Sequence, residues 1–431
     1  MTRSMPDKSR FFIIALLTVI LAVVWGGGSL KGDEIATIPV THVAQSGFQQ
    51  KKDEIFRRYQ EQKESIQRSP QEIKDLMAGI QKEIKEKNLS FIVEINEMMK
   101  YKISEITGAE VPSDLERQAK VKSDLGNKLW EELMKKYRQY LNESRRDRKG
   151  KKERKKEYYE DIISDEEQKE EESGRQEKEK GDEGAGQEEQ TDIEKAPSPD
   201  SVAFDWVGRN GMTPVKYQGE CGSCWAFTAC AVVESNFVIR QKRSLDLSEQ
   251  HLLDCAQAPQ PVYRGGRVVY VNSKAGSCQG GWYGPVFDYL MKQSAEMENR
   301  IPYKFKEASC PSPAQSRYKI TAWGYVKPNA GIPSVREMKE ALCKYGPIAA
   351  CVKITPALQA YKSGIFDEFA QCSGERDINH AITIVGWDDR KGAYLVKNSW
   401  GVQWGEKGYF WIKYGCNNIG FGAAWAVVST M

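Results

Sequence analysis

The apolar positions of the chain change their spacing three times. Residues 11–25 form an unbroken apolar run without a charge. That run is shorter than the roughly 20 residues a membrane-spanning helix needs. Arg3, Lys8 and Arg10 precede it, and small residues at 26–29 follow. This is the layout of an export signal over residues 1–32, with an uncleaved membrane anchor as the alternative. Over residues 33–142 the spacing is helical. Ile73, Leu76, Met77, Ile80 and Ile84 fall on one stripe, and Leu125, Leu129, Leu133 and Tyr137 repeat the pattern. Residues 90–96 between them read as a short strand. Residues 143–198 carry almost no apolar side chain beyond Tyr158, Tyr159, Ile162 and Ile163. Such a tract buries too little to offset ordering, so a disordered or solvated helical linker is expected. From residue 199 aromatic and β-branched residues and turn signals rise, which predicts a compact domain over 199–431.

Composition sharpens this division. A chain of 431 residues suggests two or three units. A formal net charge of +3 gives no argument for nucleic acid as a partner, and membrane contact is expected only through residues 11–25 if they stay uncleaved. All ten cysteines lie between Cys221 and Cys416. Export would place them in an oxidising compartment (extracellular, periplasmic or lumenal), where paired cysteines persist.

The candidate chemistry begins at Cys224. Residues 225–239 are apolar on most sides, as in a buried central helix. Cys224 would stand at that helix's N-terminus, where unpaired N–H groups favour an anion. A free thiol with pKa near 8.5 is only about 3% thiolate at pH 7. A helix terminus supplies roughly 0.3–2 kcal/mol, well short of the about 7 kcal/mol that a five-unit shift requires. A cationic imidazole must therefore provide most of it. The chain has three histidines. His42 lies in the cysteine-free half, and His251 sits at a capped helix start and reads as a surface residue. His380 opens an apolar run, followed by a turn at 388–392 and a second run ending at Asn398. That is a β-hairpin pattern, and folding it brings Asn398 across the ladder to within about two residues of His380. Asn398 would accept from one ring nitrogen and leave the other facing the thiol. Gln218 could join the Cys224 backbone N–H in stabilising an oxyanion.

Gln218-Gly219-Glu220-Cys221-Gly222-Ser223-Cys224-Trp225-Ala226-Phe227, then Asn379-His380-Ala381, then Lys397-Asn398-Ser399-Trp400-Gly401 resemble the papain family of cysteine proteases, the cathepsin L-like enzymes included. The resemblance covers about residues 200–431. It implies an α+β, two-domain fold with a helical left domain, a β-barrel-like right domain and a cleft between, preceded here by a helical, partly disordered N-terminal region. It implies peptide-bond hydrolysis by Cys224, His380, Asn398 and Gln218. Substrate backbone would bind along Gly280 and Gly281. Trp282, Cys351 and Ile378 would line the main specificity pocket, with Asn379 beside the base. Trp400 would shield the His–Asn contact and Trp404 would wall the far side. It further implies bridges Cys221–Cys278 and Cys255–Cys310, and allows Cys372–Cys416. Protein or peptide substrates follow, and no cofactor or metal is expected.

The chain also departs from that pattern. The gaps from Cys224 to His380 and Asn398 are wide, and an insertion at 256–277 accounts for the excess. Residues 90–98 are similar to the Phe-x-x-x-x-Asn-x-Phe stretch of papain-family propeptides, which makes the chain's own N-terminal region an expected inhibitor in a precursor. Two other outcomes of the same site are a transpeptidase-type acyl transfer and a tethered non-catalytic scaffold. Cys221 and Cys224 as a zinc pair is disfavoured, since there is no second Cys-x-x-Cys, and as a redox pair because a thioredoxin-like site belongs in a βαβ context with no His–Asn hairpin.

Overall fold

The computed structural model describes residues 67–170, 197–264, 267–311 and 314–429. The expected export signal lies outside them, as does the stretch 171–196 of the charged tract. The described residues belong to one unit, Gln50–Met431. None of its described helices is long and apolar enough to cross a membrane.

Helix α1 (Pro70–Lys87) starts at a capping box. Ser69 Oγ accepts from the Glu72 N–H, and the Glu72 carboxylate accepts from the Ser69 N–H. Ile73, Met77 and Ile80 are its buried stripe, with Leu76 and Ile84 packed at the margins. Strand β1 (Ile92–Val93) pairs antiparallel with Tyr361–Ser363. Phe91 beside it stacks on Phe366, centroids 4.6 Å apart. One helical turn, Ile103–Ile106, leads into an extended segment at 107–111. Helix α2 (Leu115–Glu170) follows and runs without a break past residue 142, where the sequence suggested a boundary.

The C-terminal part has two cores. The first surrounds helix α3 (Cys224–Gln241), whose residues from Cys224 to Phe237 are all buried. Strand β2 (Ala203–Asp205) precedes it, and α4 (Glu249–Cys255) follows. The insertion forms an antiparallel hairpin, β3 (Gln257–Arg264) and β4 (Arg267–Lys274). Helix α5 (Tyr283–Lys292) then packs on α3. The second core is built on a sheet of β5 (Ala322–Tyr325), β6 (Ile348–Val352), β8 (Ile365–Phe366), β9 (His380–Asp388), β10 (Ala393–Lys397), β11 (Tyr409–Lys413) and β12 (Phe421–Val427). The order is β5-β12-β6-β9-β10-β11-β8, with β2 added on β9, so the barrel-like half is an open sheet whose end strands are β5 and β8. Helix α6 (Val335–Tyr345) covers one face. Strand β7 is the segment Tyr361–Ser363 that receives β1.

Cys221 is bonded to Cys278, and Cys255 to Cys310. Cys372 and Cys416 are both free thiols.

Candidate active site

Helix α3 and the β9–β10 hairpin bring the chemistry together. Asp388 and Asp389 carbonyls accept from the Lys391 and Gly392 N–H groups in the turn, and Gly392 takes φ +60. An irregularity at Leu395/Val396 then shifts the register by one residue. His380 at the start of β9 and Asn398 just beyond β10 meet diagonally, with Nε2 to Oδ1 at 2.8 Å. The same Oδ1 accepts from the Ser399 N–H at 2.8 Å, which fixes the amide's orientation. The other ring nitrogen, Nδ1, is buried and makes no hydrogen bond. Trp400 lies against the imidazole, centroids 4.9 Å apart. Cys224 Sγ accepts from the Ala381 N–H at 3.4 Å, which ties the helix start to the residue after His380. Gln218 is held by Ser399 Oγ, which donates to its Oε1 at 2.5 Å, and its Nε2 donates to the Cys221 carbonyl at 2.9 Å.

The cleft over these groups is filled by the chain's own residues 106–111. Gly281 N–H donates to the Gly108 carbonyl at 2.9 Å, and Glu110 N–H donates to the Gly281 carbonyl at 3.0 Å, a parallel pairing. The Asn379 carbonyl accepts from both Gly108 and Ala109 N–H at 2.9 Å. The Ile106 carbonyl accepts from Gln218 Nε2 and Trp400 Nε1, both at 3.2 Å. A Cβ on Gly108 would lie 2.0 Å from the Gly222 carbonyl oxygen, and one on Gly280 2.5 Å from Glu110. Only glycine lets the two backbones approach this closely.

The cover changes the electrostatics beneath it. Burial pushes the Cys224 thiol up to about 12, against the N–H groups of Ala381, Gly108 and Trp225 that favour the thiolate. Burial also holds His380 down at about 4, against the Asn398 contact. With residues 106–111 in place the pair is therefore neutral near pH 7.

The remaining residues picked from the sequence are placed as follows. Asn379 also closes a side-chain pair with Ile354, accepting from its N–H at 2.7 Å and donating to its carbonyl at 3.1 Å. Ile378 is half-buried. Trp404 donates to the Gln359 carbonyl at 2.9 Å. Trp282 donates to the Tyr325 hydroxyl at 2.9 Å and stacks on Tyr283, centroids 4.6 Å apart. Cys351 is buried 3.7 Å from the Tyr283 hydroxyl, which itself donates to the Gly422 carbonyl at 2.6 Å. Tyr283 and the covering segment were not picked out from the sequence. The signal for the segment was the small-residue run Thr107-Gly108-Ala109 between two helical patterns.

His251 corrects the sequence reading. It is fully buried, not a surface residue, because every residue of α4 packs inward and Ser248 Oγ caps its N–H. Behind the site, Lys216 Nζ lies 2.8 Å from carboxylates of Glu234, Glu249 and Asp246. Burial works against that charge, but the three carboxylates outweigh it and hold the ammonium well above its ordinary range.

A thiol at a buried helix start, an imidazole and an orienting amide across a cleft are the arrangement that cysteine-nucleophile acyl transfer requires. The profile described as "Papain family cysteine protease" matches residues 199–428, and the chain belongs to that family. Relatives include Pro-cathepsin H of Mus musculus, 35% identical over 231 residues covering 53% of this chain and 64% of that protein. A cathepsin L-like proteinase of Phaedon cochleariae is 34% identical over 223 residues, covering 51% and 62%. The chain thus spans under two thirds of these relatives' own length. The structure of digestive procathepsin L 3 from Tenebrio molitor larval midgut shares the fold, at TM-score 0.54 and 20% identity over 88% of this chain and 99% of that one.

Proposed function

We propose that the protein is a cysteine endopeptidase made as a latent precursor, with residues 67–114 as its inhibitory cover. The observation that carries this is His380, bonded through Nε2 to Asn398 and with Nδ1 left over, beside a Cys224 held at the start of α3. His380 takes the proton of the Cys224 thiol, and the resulting thiolate Sγ attacks the peptide carbonyl carbon. Gln218 Nε2, freed from Ile106, steadies the developing oxyanion. His380 gives its proton to the leaving amine, and a thioester remains. His380 then takes a proton from water as that water displaces the thiol and releases the acid. Gly281 supplies the N–H and carbonyl that now hold Gly108 and Glu110, so extended protein or peptide substrates would bind there. Trp282, Cys351 and Ile378 would shape the adjoining pocket. The two disulfides support export to an oxidising compartment.

The test compares the chain with its Cys224→Ala form, each incubated with a reductant from pH 4 to 8 and assayed with a quenched peptide. Hydrolysis by the unsubstituted protein alone, rising as the chain is shortened, is the expected result. If neither form cleaves peptide at any pH, even after the N-terminal region is cut away, the protease reading is wrong.

A further inference from the structure

Helix α2 is not packed like the rest of the cover. Its inward positions are Leu115, Ala119, Ser123, Gly126 and Trp130, and of these Ser123 and Gly126 lie on β5, an edge strand of the sheet. Ser123 Oγ donates to the Tyr325 carbonyl at 3.1 Å. A Cβ on Gly126 would sit 2.0 Å from the Trp323 carbonyl oxygen. From the other side, a Cβ on Gly324 would sit 3.3 Å from the Lys122 carbonyl oxygen. Helix and strand are therefore in backbone contact, which small residues on both sides permit. Lys122 Nζ reaches both oxygens of Asp288 on α5 at 2.6 Å. Trp130 is 7% exposed, edge-on to Tyr345 at 5.2 Å and under the Arg240 guanidinium at 4.8 Å. Tyr345 in turn stacks on Trp425 at 4.0 Å. The contacts thus reach both cores. The segment at 106–111, by contrast, is held mostly by backbone hydrogen bonds across the cleft.

We propose that residues 115–137 are a permanent wall of the peptidase domain, and that the cut which frees the cleft falls within residues 107–114. Stripping α2 away would bare the edge of β5 and the aromatic stack around Tyr345, an unpaired edge of the kind that invites aggregation. Hydrolysis of one bond at 107–114 consumes one water and leaves a carboxylate on the released cover and an amine ahead of α2. The proposal rests on reading residues 106–111 as the cover, and it sets the lasting chain's start some 80 residues earlier than a boundary at 198 does.

The test uses the full chain carrying Cys224→Ala, so that no self-cleavage intervenes. Recognition sequences for one site-specific protease are placed after Ser113 and within residues 181–190. After both cuts the protein is passed through size exclusion at pH 4.5 and the fragments are identified by mass. The expected result is that the piece from 114 to the linker co-elutes one-to-one with the C-terminal piece while the piece ending at 113 separates. Release of the helical piece from the C-terminal piece overturns the proposal. Adding Gly126→Leu should convert retention into release, and retention unchanged by that substitution also counts against the docking face. In the unsubstituted chain the active species should carry α2, joined or bound. An active species beginning at 196–204 with no α2 fragment attached overturns the proposal. Because retention is read in a chain lacking the nucleophile, it stands or falls apart from the protease reading.

Discussion

Cys224 at about 12 and His380 at about 4 leave the covered site with a thiolate fraction on the order of 10⁻⁵ at pH 7. Exposure to water, with an imidazolium alongside, would bring the thiol into the range of reactive cysteines. Alkylation of Cys224 by iodoacetamide should therefore run ~10³-fold faster or more once the cover is gone, read by mass on the isolated residue. In the uncovered enzyme His380→Ala should lower kcat by ~10²–10⁴-fold, the usual contribution of a positioned acid–base group. Lys216 makes a separate prediction. Its loss leaves Glu234 and Glu249 buried without their cation, which costs about 3–5 kcal/mol. Lys216→Ala should lower the melting temperature by roughly 6–20 °C in calorimetry. An unchanged melting temperature would mean that the carboxylates take up protons without penalty.

At the scale of elements, the covering segment and the hairpin respond differently to change. Gly108→Val would drive a side chain into the Gly222 carbonyl, so the uncut protein should gain peptidase activity without losing α3 or β9. Acid should loosen the same segment. The covered His380 titrates near 4 and an exposed histidine near 6.5, so the covered state binds fewer protons between those values. Its stability is full above 6.5 and falls as pH drops toward 4, by up to about tenfold per unit. The hydrogen-exchange protection factors of Gly108, Ala109 and Glu110, with the intrinsic pH dependence of amide exchange divided out, should fall across that window and stay flat from pH 7 to 8. The hairpin was legible in the sequence because two long apolar runs flank a turn of charged residues and glycine. The docking face of α2 was not. Its inward residues Ala119, Ser123 and Gly126 are small or weakly polar, whereas Leu125 of the expected stripe is 51% exposed. Close backbone approach leaves no hydropathy signal. The burial of His251 was hidden for a related reason. Its neighbours Gln250 and Asp254 look like surface residues but accept from the Lys304 and Ala308 N–H groups.

At the scale of the molecule, residues 67–137 and the peptidase domain are one folded body, joined at several places among the described residues. They include Phe91 and β1 on the Tyr361–Phe366 region, the segment in the cleft, and α2 on β5. The insertion hairpin stands beside this last junction. Its Pro259 helps to line a cavity of about 440 Å³ with Leu125, Leu129, Met291 and Trp323. Sequence reasoning located the insertion by the excess spacing but had no means to see that it borders a cavity shared with α2. The parallel run of residues 106–111 has one more consequence. Because the cover is tethered on both sides, it meets the cleft at an effective concentration of roughly millimolar whatever the protein's own concentration. Dilution alone would not awaken the precursor, and a soluble peptide rival would have to be present at comparable levels to displace it.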